Sequence, residues 1–236
     1  MFLYDTYHVI TKENSRPMFV HCCKCTRIES FCICSKMPQI QTQLQIVIIR
    51  HERESKRRSN TARITSICIP TLQIIEYPFK TSILTVDPVS DILIYPVSQE
   101  TTIQSVHNTK PELSEETKRP QPKRLLFLDG TWTQTRKMYR KMVDLHKIPW
   151  MILPPSSNPP PKIRKSSFAD GMSTMESVGR AIGFFEDPEK EVLIDKSLSL
   201  WIDAVRRNTG ITIPIDSGES FSEVRSREDM FRGSQN

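Results

Sequence analysis

Two short runs constrain the fold of this chain more than anything else in it: LQIVIIR at 44–50 and RLLFLDG at 124–130. Each is almost continuously apolar and stops abruptly at charged or turn-forming residues. A strand with one wet face alternates apolar with polar side chains, whereas a strand covered on both faces has no polar side to show. Runs of this kind belong in a parallel sheet with helices on both faces. LQIIEY (72–77), DILIYP (91–96) and PWMIL (149–153) read as further strands. Helical stretches fall between or after them, around 59–68, in TWTQTRKMYRKMVDL from near Thr133, from Ser173 onward, and over roughly 190–207. No internal repeat is present. Strands alternating with helices predict an α/β domain with a mostly parallel sheet.

The helix from Ser173 carries the clearest start signal. Ser173-Thr174-Met175-Glu176 has the spacing of a capping box, and Met175, Val178, Ile182 and Phe185 follow at helical intervals as a core stripe. Gly179 and Gly183, four apart, predict close approach of another backbone.

Five of the six cysteines lie between residues 18 and 38. Cys22, Cys25, Cys32 and Cys34 form two close pairs, the arrangement that places four thiolates around one tetrahedral zinc ion. A short segment with little apolar content needs such a staple to hold a shape. Cys23 is a rival first ligand, although the two-residue gap to Cys25 favours Cys22. All four ligands come from protein, so the site is structural. Cys68 sits in an apolar stretch and reads as an inert core thiol. The expected organisation is a lead-in and zinc module over 1–40, then an α/β domain over 41–236 with a mobile polar connection near 99–123. The N-terminal stretch shows no secretory pattern and no apolar run matches a membrane span, so a cytoplasmic setting with reduced thiols is expected.

A net charge of +6 favours a polyanionic partner without specifying one. The basic residues are clustered: Arg50, Arg53, Lys56, Arg57, Arg58 and Arg63; then Arg136, Lys137, Arg140 and Lys141; then Lys162, Arg164 and Lys165. Each cluster flanks an unusual stretch. His51-x-x-Glu54 and Ser59-Asn60-Thr61 follow the first strand, Asp129-Gly130-Thr131-Trp132 closes a later one, and Ile163-Arg164-Lys165 precedes Gly171-Met172-Ser173-Thr174-Met175-Glu176.

In their order and spacing these elements resemble the DTW-domain family of tRNA-uridine aminocarboxypropyltransferases, from about residue 20 to about 205, and more distantly the ribosomal-RNA aminocarboxypropyltransferases. Two positions depart from the family pattern: Pro161-Lys162 stands where an aromatic residue often precedes the Ile-Arg-Lys element, and Ser177 replaces an alanine after Glu176. The resemblance implies a SPOUT-like fold with a C-terminal trefoil knot that binds S-adenosylmethionine. It implies Asp129 as the general base, and Trp132, Thr131, Leu153, Pro154, Ser173 and Thr174 as cofactor contacts. It assigns His51, Arg53, Lys56, Arg57, Arg58, Arg136, Lys137, Arg164 and Lys165 to tRNA, with neither DNA nor a membrane as partner. By residue chemistry alone Asp129 also suits a turn and Trp132 a core. A SPOUT-type RNA methyltransferase and a non-enzymatic zinc-containing RNA-binding module are the competing readings, and the oligomeric state stays open.

Overall fold

The computed structural model describes residues 20–79, 84–95, 121–153 and 171–209. Five strands, β1 (Gln45–His51), β2 (Gln73–Tyr77), β3 (Asp91–Ile94), β4 (Arg124–Asp129) and β5 (Trp150–Met151), form one sheet in the order β2-β1-β4-β3-β5. Every pairing is parallel, as the apolar runs require. The helices are α1 (Glu52–Ser55), α2 (Thr61–Cys68), α3 (Trp132–Lys141), α4 (Thr174–Phe185) and α5 (Pro188–Thr209).

The two-residue period of β1 and β4 divides the core. Ile46, Ile48, Leu125 and Phe127 face the layer of α2, α4 and α5, with Ala62, Ile64, Met175, Val178, Ile182, Ile194 and Trp201 packed against them. Val47, Ile49 and Leu126 face the other way, toward Met138 and Met142 at α3 and Leu145 in the 3-10 turn Val143–Lys147. The register pairs Ile46 with Leu125, Ile48 with Phe127 and Arg50 with Asp129. The cysteine-rich segment does not form a core of its own, because Cys25, Ile33, Met37 and Ile40 join the α2–α5 layer.

The connections diverge between β1 and β4. The chain leaves β1 through α1 and α2 to reach β2 on one side, and leaves β4 through α3 to reach β5 beyond β3 on the other. Adjacent strands whose outgoing connections run in opposite directions open a crevice at their carboxyl ends, where open α/β sheets place their ligands. His51 and Asp129 end the two strands concerned.

Element boundaries differ slightly from expectation, for local reasons. α3 begins at Trp132, one residue earlier than expected, because Thr131 and Gln134 form a reciprocal capping box. α2 begins at Thr61 because Asn60 caps it. α5 begins at Pro188, whose fixed φ suits the first helical turn. β5 keeps only two of the five residues expected for it. Of the connection at 99–123, residues 121–123 are described and the rest lie outside the described residues. The trefoil knot is a property of the whole C-terminal trace, part of which, 154–170 and 210–236, also lies outside them.

Gly179 and Gly183 face α5, but what comes close is side chain rather than backbone. A Cβ on Gly179 would lie 2.8 Å from Ile194 Cγ2, and one on Gly183 would lie 2.8 Å from Glu191 Cβ. Overpacking of this kind costs about 1–3 kcal/mol, partly offset by the helix propensity that alanine gains over glycine. Gly179→Ala is therefore expected to lower unfolding free energy by about 1–2 kcal/mol, measured by denaturant titration. Adding Ile194→Val should restore little of that loss, because valine removes only Cδ1 and keeps the Cβ and Cγ2 that crowd the new methyl.

Candidate functional site

Strand alternation turns Arg50 and Asp129 toward the same face as Ile48 and Phe127, where the N-termini of α2 and α4 arrive. The Asp129 side chain is buried, at 6% exposure, and each of its oxygens is held. Asn60 Nδ2 donates to Oδ2 at 2.6 Å, and Thr174 Oγ1 donates to Oδ1 at 2.5 Å. Asn60 is itself 1% exposed. Its Oδ1 caps α2 by accepting from the Arg63 N–H at 3.2 Å, and also accepts from Arg50 Nη1 at 3.1 Å. Arg50 in turn donates from Nε to Glu76 Oε1 at 3.0 Å. One polar chain thus runs from β2 through β1 and α2 to β4 and α4. Buried polar groups cost free energy unless paired, so each member restrains the next. A carboxylate oxygen can accept more than one hydrogen bond, so Asp129 retains acceptor capacity beyond its two internal donors. Two helix N-termini meet at this group, a setting that favours negative charge.

The four residues of the Asp-Gly-Thr-Trp stretch divide between the two faces. Asp129 points to the α2–α4 side. Thr131 caps α3, accepting from the Gln134 N–H while Gln134 Oε1 accepts from the Thr131 N–H at 2.7 Å. Trp132 packs with the other core cluster, its ring stacked on Tyr95 at 5.9 Å and 19°, with the Arg136 guanidinium 5.9 Å from its centroid. Tyr95 stacks in turn on Tyr139 at 5.1 Å.

The structure therefore brings Asp129, Asn60, Thr174 and Ser173 together. It places Trp132 in an aromatic cluster on the opposite side of the sheet. Ser173 and Glu176 form the capping box expected of them, with the Ser173 N–H donating to Glu176 Oε2 at 2.6 Å. Leu153 is buried on the α2–α4 side. Pro154, Lys162, Arg164 and Lys165 lie outside the described residues.

His51 caps α1, its Nδ1 accepting from the Arg53 N–H at 3.2 Å. Arg53, Lys56, Arg57 and Arg58 are exposed, and Arg57 pairs with buried Glu54 at 3.2 Å. Arg50 and Arg63, grouped with them in sequence, are not part of that exposed surface. Arg50 is buried against Glu76 and Asn60, and half-buried Arg63 donates to Ser55 O and Thr26 Oγ1. On α3, Lys137, Arg140 and Lys141 are exposed and Arg136 is half-buried. The function of Asn60 is what sequence reasoning missed. Its signal was an asparagine directly before a helix, which is ordinary capping chemistry and does not reveal a second partner on β4.

The cysteines resolve cleanly. The sulfurs of Cys22, Cys25, Cys32 and Cys34 all lie within 4.8 Å of one another. Cys22 is 3.7 Å from Cys34, and Cys25 is 3.8 Å from Cys32. Zinc–sulfur bonds of about 2.3 Å in a tetrahedron imply sulfur separations of about 3.8 Å, so the cluster fits one such ion. Cys23 is exposed and outside the cluster, which settles the choice in favour of Cys22. The turn that carries the first two ligands is closed just beyond Cys25 by Thr26 at φ 58°, with Thr26 N–H donating to Cys22 O at 2.8 Å and Cys22 N–H to Arg27 O at 2.7 Å. In the metal-free thiols, the hydrogen bond from Cys34 holds Cys25 down to about 4, and the same pairing together with burial pushes Cys34 up. Cys68 is buried beside the Met37 sulfur.

A cavity of about 850 Å³ opens at the amino-terminal ends of β1, β3 and β4, between Gln43, Asp91, Lys123, Arg124, Glu186 and Lys190. Two of its acids are paired, Asp91 with Arg124 and Glu186 with Lys190, and it contains none of the candidate catalytic, cofactor or RNA-contact residues. No helix among the described residues is long and apolar enough to cross a membrane.

A doubly wound parallel sheet with a held carboxylate at its switch point and a tetracysteine cluster on its flank defines an α/β fold with four cysteines placed to hold a metal ion. The family model described as the DTW domain matches residues 20–206, and the chain belongs to that family. Membership points to a tRNA-modifying transferase. No solved structure matches the chain.

Elemental analysis provides the check on the metal centre. Cys22→Ser should lose the ion, whereas Cys23→Ser and Cys68→Ser should retain about one zinc per chain, the number that four ligands accommodate.

Proposed function

We propose that the protein transfers the 3-amino-3-carboxypropyl group of S-adenosylmethionine to N3 of a uridine in tRNA. The observation that carries this reading is the position of Asp129, held from two sides at the sheet's switch point, with a basic run leaving each of the two strands that meet there. The reaction forms a bond between uridine N3 and the terminal carbon of the amino-acid chain. It breaks that carbon's bond to the sulfonium, whose electron pair returns to sulfur as methylthioadenosine leaves. The N3 proton passes to the Asp129 carboxylate, which is general-base catalysis.

Asn60 and Thr174 act as positioning residues, because each fixes one oxygen of the base. Thr131, Leu153, Ser173, Thr174 and Trp132 remain the described candidates for cofactor contact, with the Trp132 indole presented from the Tyr95 side. Arg53, Lys56, Arg57 and Arg58 beyond β1, and Arg136, Lys137, Arg140 and Lys141 on α3, are suited to gripping phosphates rather than reading bases. A uridine stacked inside folded tRNA is drawn out to reach Asp129.

Asp129→Asn tests the base with little risk to the fold. An amide oxygen can still accept from Asn60, and the amide nitrogen can donate to the Thr174 hydroxyl oxygen. Turnover with unmodified tRNA should fall by roughly a hundredfold or more, the scale of a lost general base, with S-adenosylmethionine affinity little changed. Trp132→Ala should instead weaken that affinity most. The product of the parent enzyme decides the reaction. Methylthioadenosine with an aminocarboxypropylated nucleoside supports the proposal, whereas S-adenosylhomocysteine with a methylated nucleoside refutes it.

A further inference from the structure

Two arginines beside the cysteine cluster lack the partners their burial calls for. Arg27 is 3% exposed and Arg63 is half-buried. A guanidinium taken out of water costs several kcal/mol unless an opposite charge lies near it. Among the described residues neither forms an ion pair with a carboxylate. The acids nearby are engaged elsewhere, Glu76 with Arg50 and Glu54 with Arg57. Positive charge is crowded here: burial, then Arg58 and Arg63, push Arg27 down, and burial, then Arg50, push Arg63 down. What the two share is their place at the cysteine turn: Arg27 lies two residues beyond Cys25, and Arg63 donates to Thr26, the residue between them.

A divalent ion bound by four thiolates leaves two surplus negative charges, which match two guanidiniums. The arginines also reach outward from the cluster. Arg27 Nη2 donates to Arg58 O at 3.0 Å and lies over the Trp201 ring of α5 at 5.7 Å. Arg63 donates from Nη1 to Thr26 Oγ1 at 3.3 Å, next to Cys25, and from Nη2 to Ser55 O. Both therefore join the cysteine turn to the 55–58 loop, which carries Lys56, Arg57 and Arg58 and leads directly to Asn60.

We propose that Arg27 and Arg63 are the charge-balancing partners of a metal–tetracysteine centre, and that through them the bound metal holds the basic 55–60 loop in place. The centre thereby positions Asn60, which caps the helix that carries Arg63. This coupling of metal and loop is independent of the transfer proposed above.

The experiment uses the full chain, loaded with zinc and stripped of it. Arg63→Met should lower zinc affinity by about 10–100-fold in competition with a chromogenic chelator, the usual effect of losing an outer-shell partner. It should also speed amide hydrogen exchange over 55–60 while leaving β1 and β4 unchanged. Arg63→Lys keeps the charge but not the two-pronged reach, so it should retain most of the zinc affinity and lose the loop protection. Arg57→Met, in the same run but paired with Glu54, should match the parent in zinc affinity. Stripping zinc from the parent should itself accelerate exchange over 55–60. Zinc affinity within about twofold of the parent in Arg63→Met, or a loop equally protected with and without zinc, overturns the proposal.

Discussion

The hydrogen bond from Asn60 to Asp129 is the contact on which the rest of the site depends. It joins the cap of α2 to the end of β4 at 2.6 Å, with both groups buried. A buried carboxylate that loses a donor keeps the desolvation cost without the compensation, an imbalance of about 1–3 kcal/mol. The amide of Asn60 cannot rotate away from this duty, since its oxygen is committed to Arg50 and to the first turn of α2. A short polar residue thereby sets the position of a helix, a strand end and an acid together.

The surface around this contact has a consistent electrostatic layout. Neutral or hydrogen-bonded groups make up the polar chain from Glu76 to Thr174, and exposed positive charge is displayed on and just beyond α1 and on α3 to either side. Division of labour within one four-residue stretch follows from this. Asp129 serves the α2–α4 face, while Trp132 anchors α3 to Tyr95 on the other. The tight turn between them leaves little room for a side chain at Gly130, where a Cβ would meet Gln134 Cβ at 3.1 Å.

Much of the architecture was legible in the sequence because period and composition act locally. The unbroken apolar runs of β1 and β4 predicted a parallel sheet covered on both faces, and Ser173 with Glu176 announced the start of α4. The cysteine spacing predicted a cluster, but the choice of Cys22 over Cys23 needed three dimensions, since neighbours along the chain differ in which way they face. Strand order and register could not be read, because they depend on pairings between distant segments. For that reason the opposition of Arg50 and Asp129, the second function of Asn60 and the internal use of Arg50 and Arg63 were invisible beforehand. The same limit applied to Trp132: alternation places Asp129, but the turn after it decides the side on which the indole lands.

The partners of Asp129 are remote in sequence, 69 residues away at Asn60 and 45 at Thr174. A chain made from its N-terminus onward therefore completes these features at different times. The cysteine turn, β1 and α2 are all present before residue 70, so the metal module can assemble while the remainder is still being made. The acid is not clamped until α4 has emerged. Closing such long loops is slow compared with local turn formation. An unfinished chain can thus already bring its four cysteines together and display the basic residues beyond β1 while the carboxylate at the end of β4 still lacks its second donor.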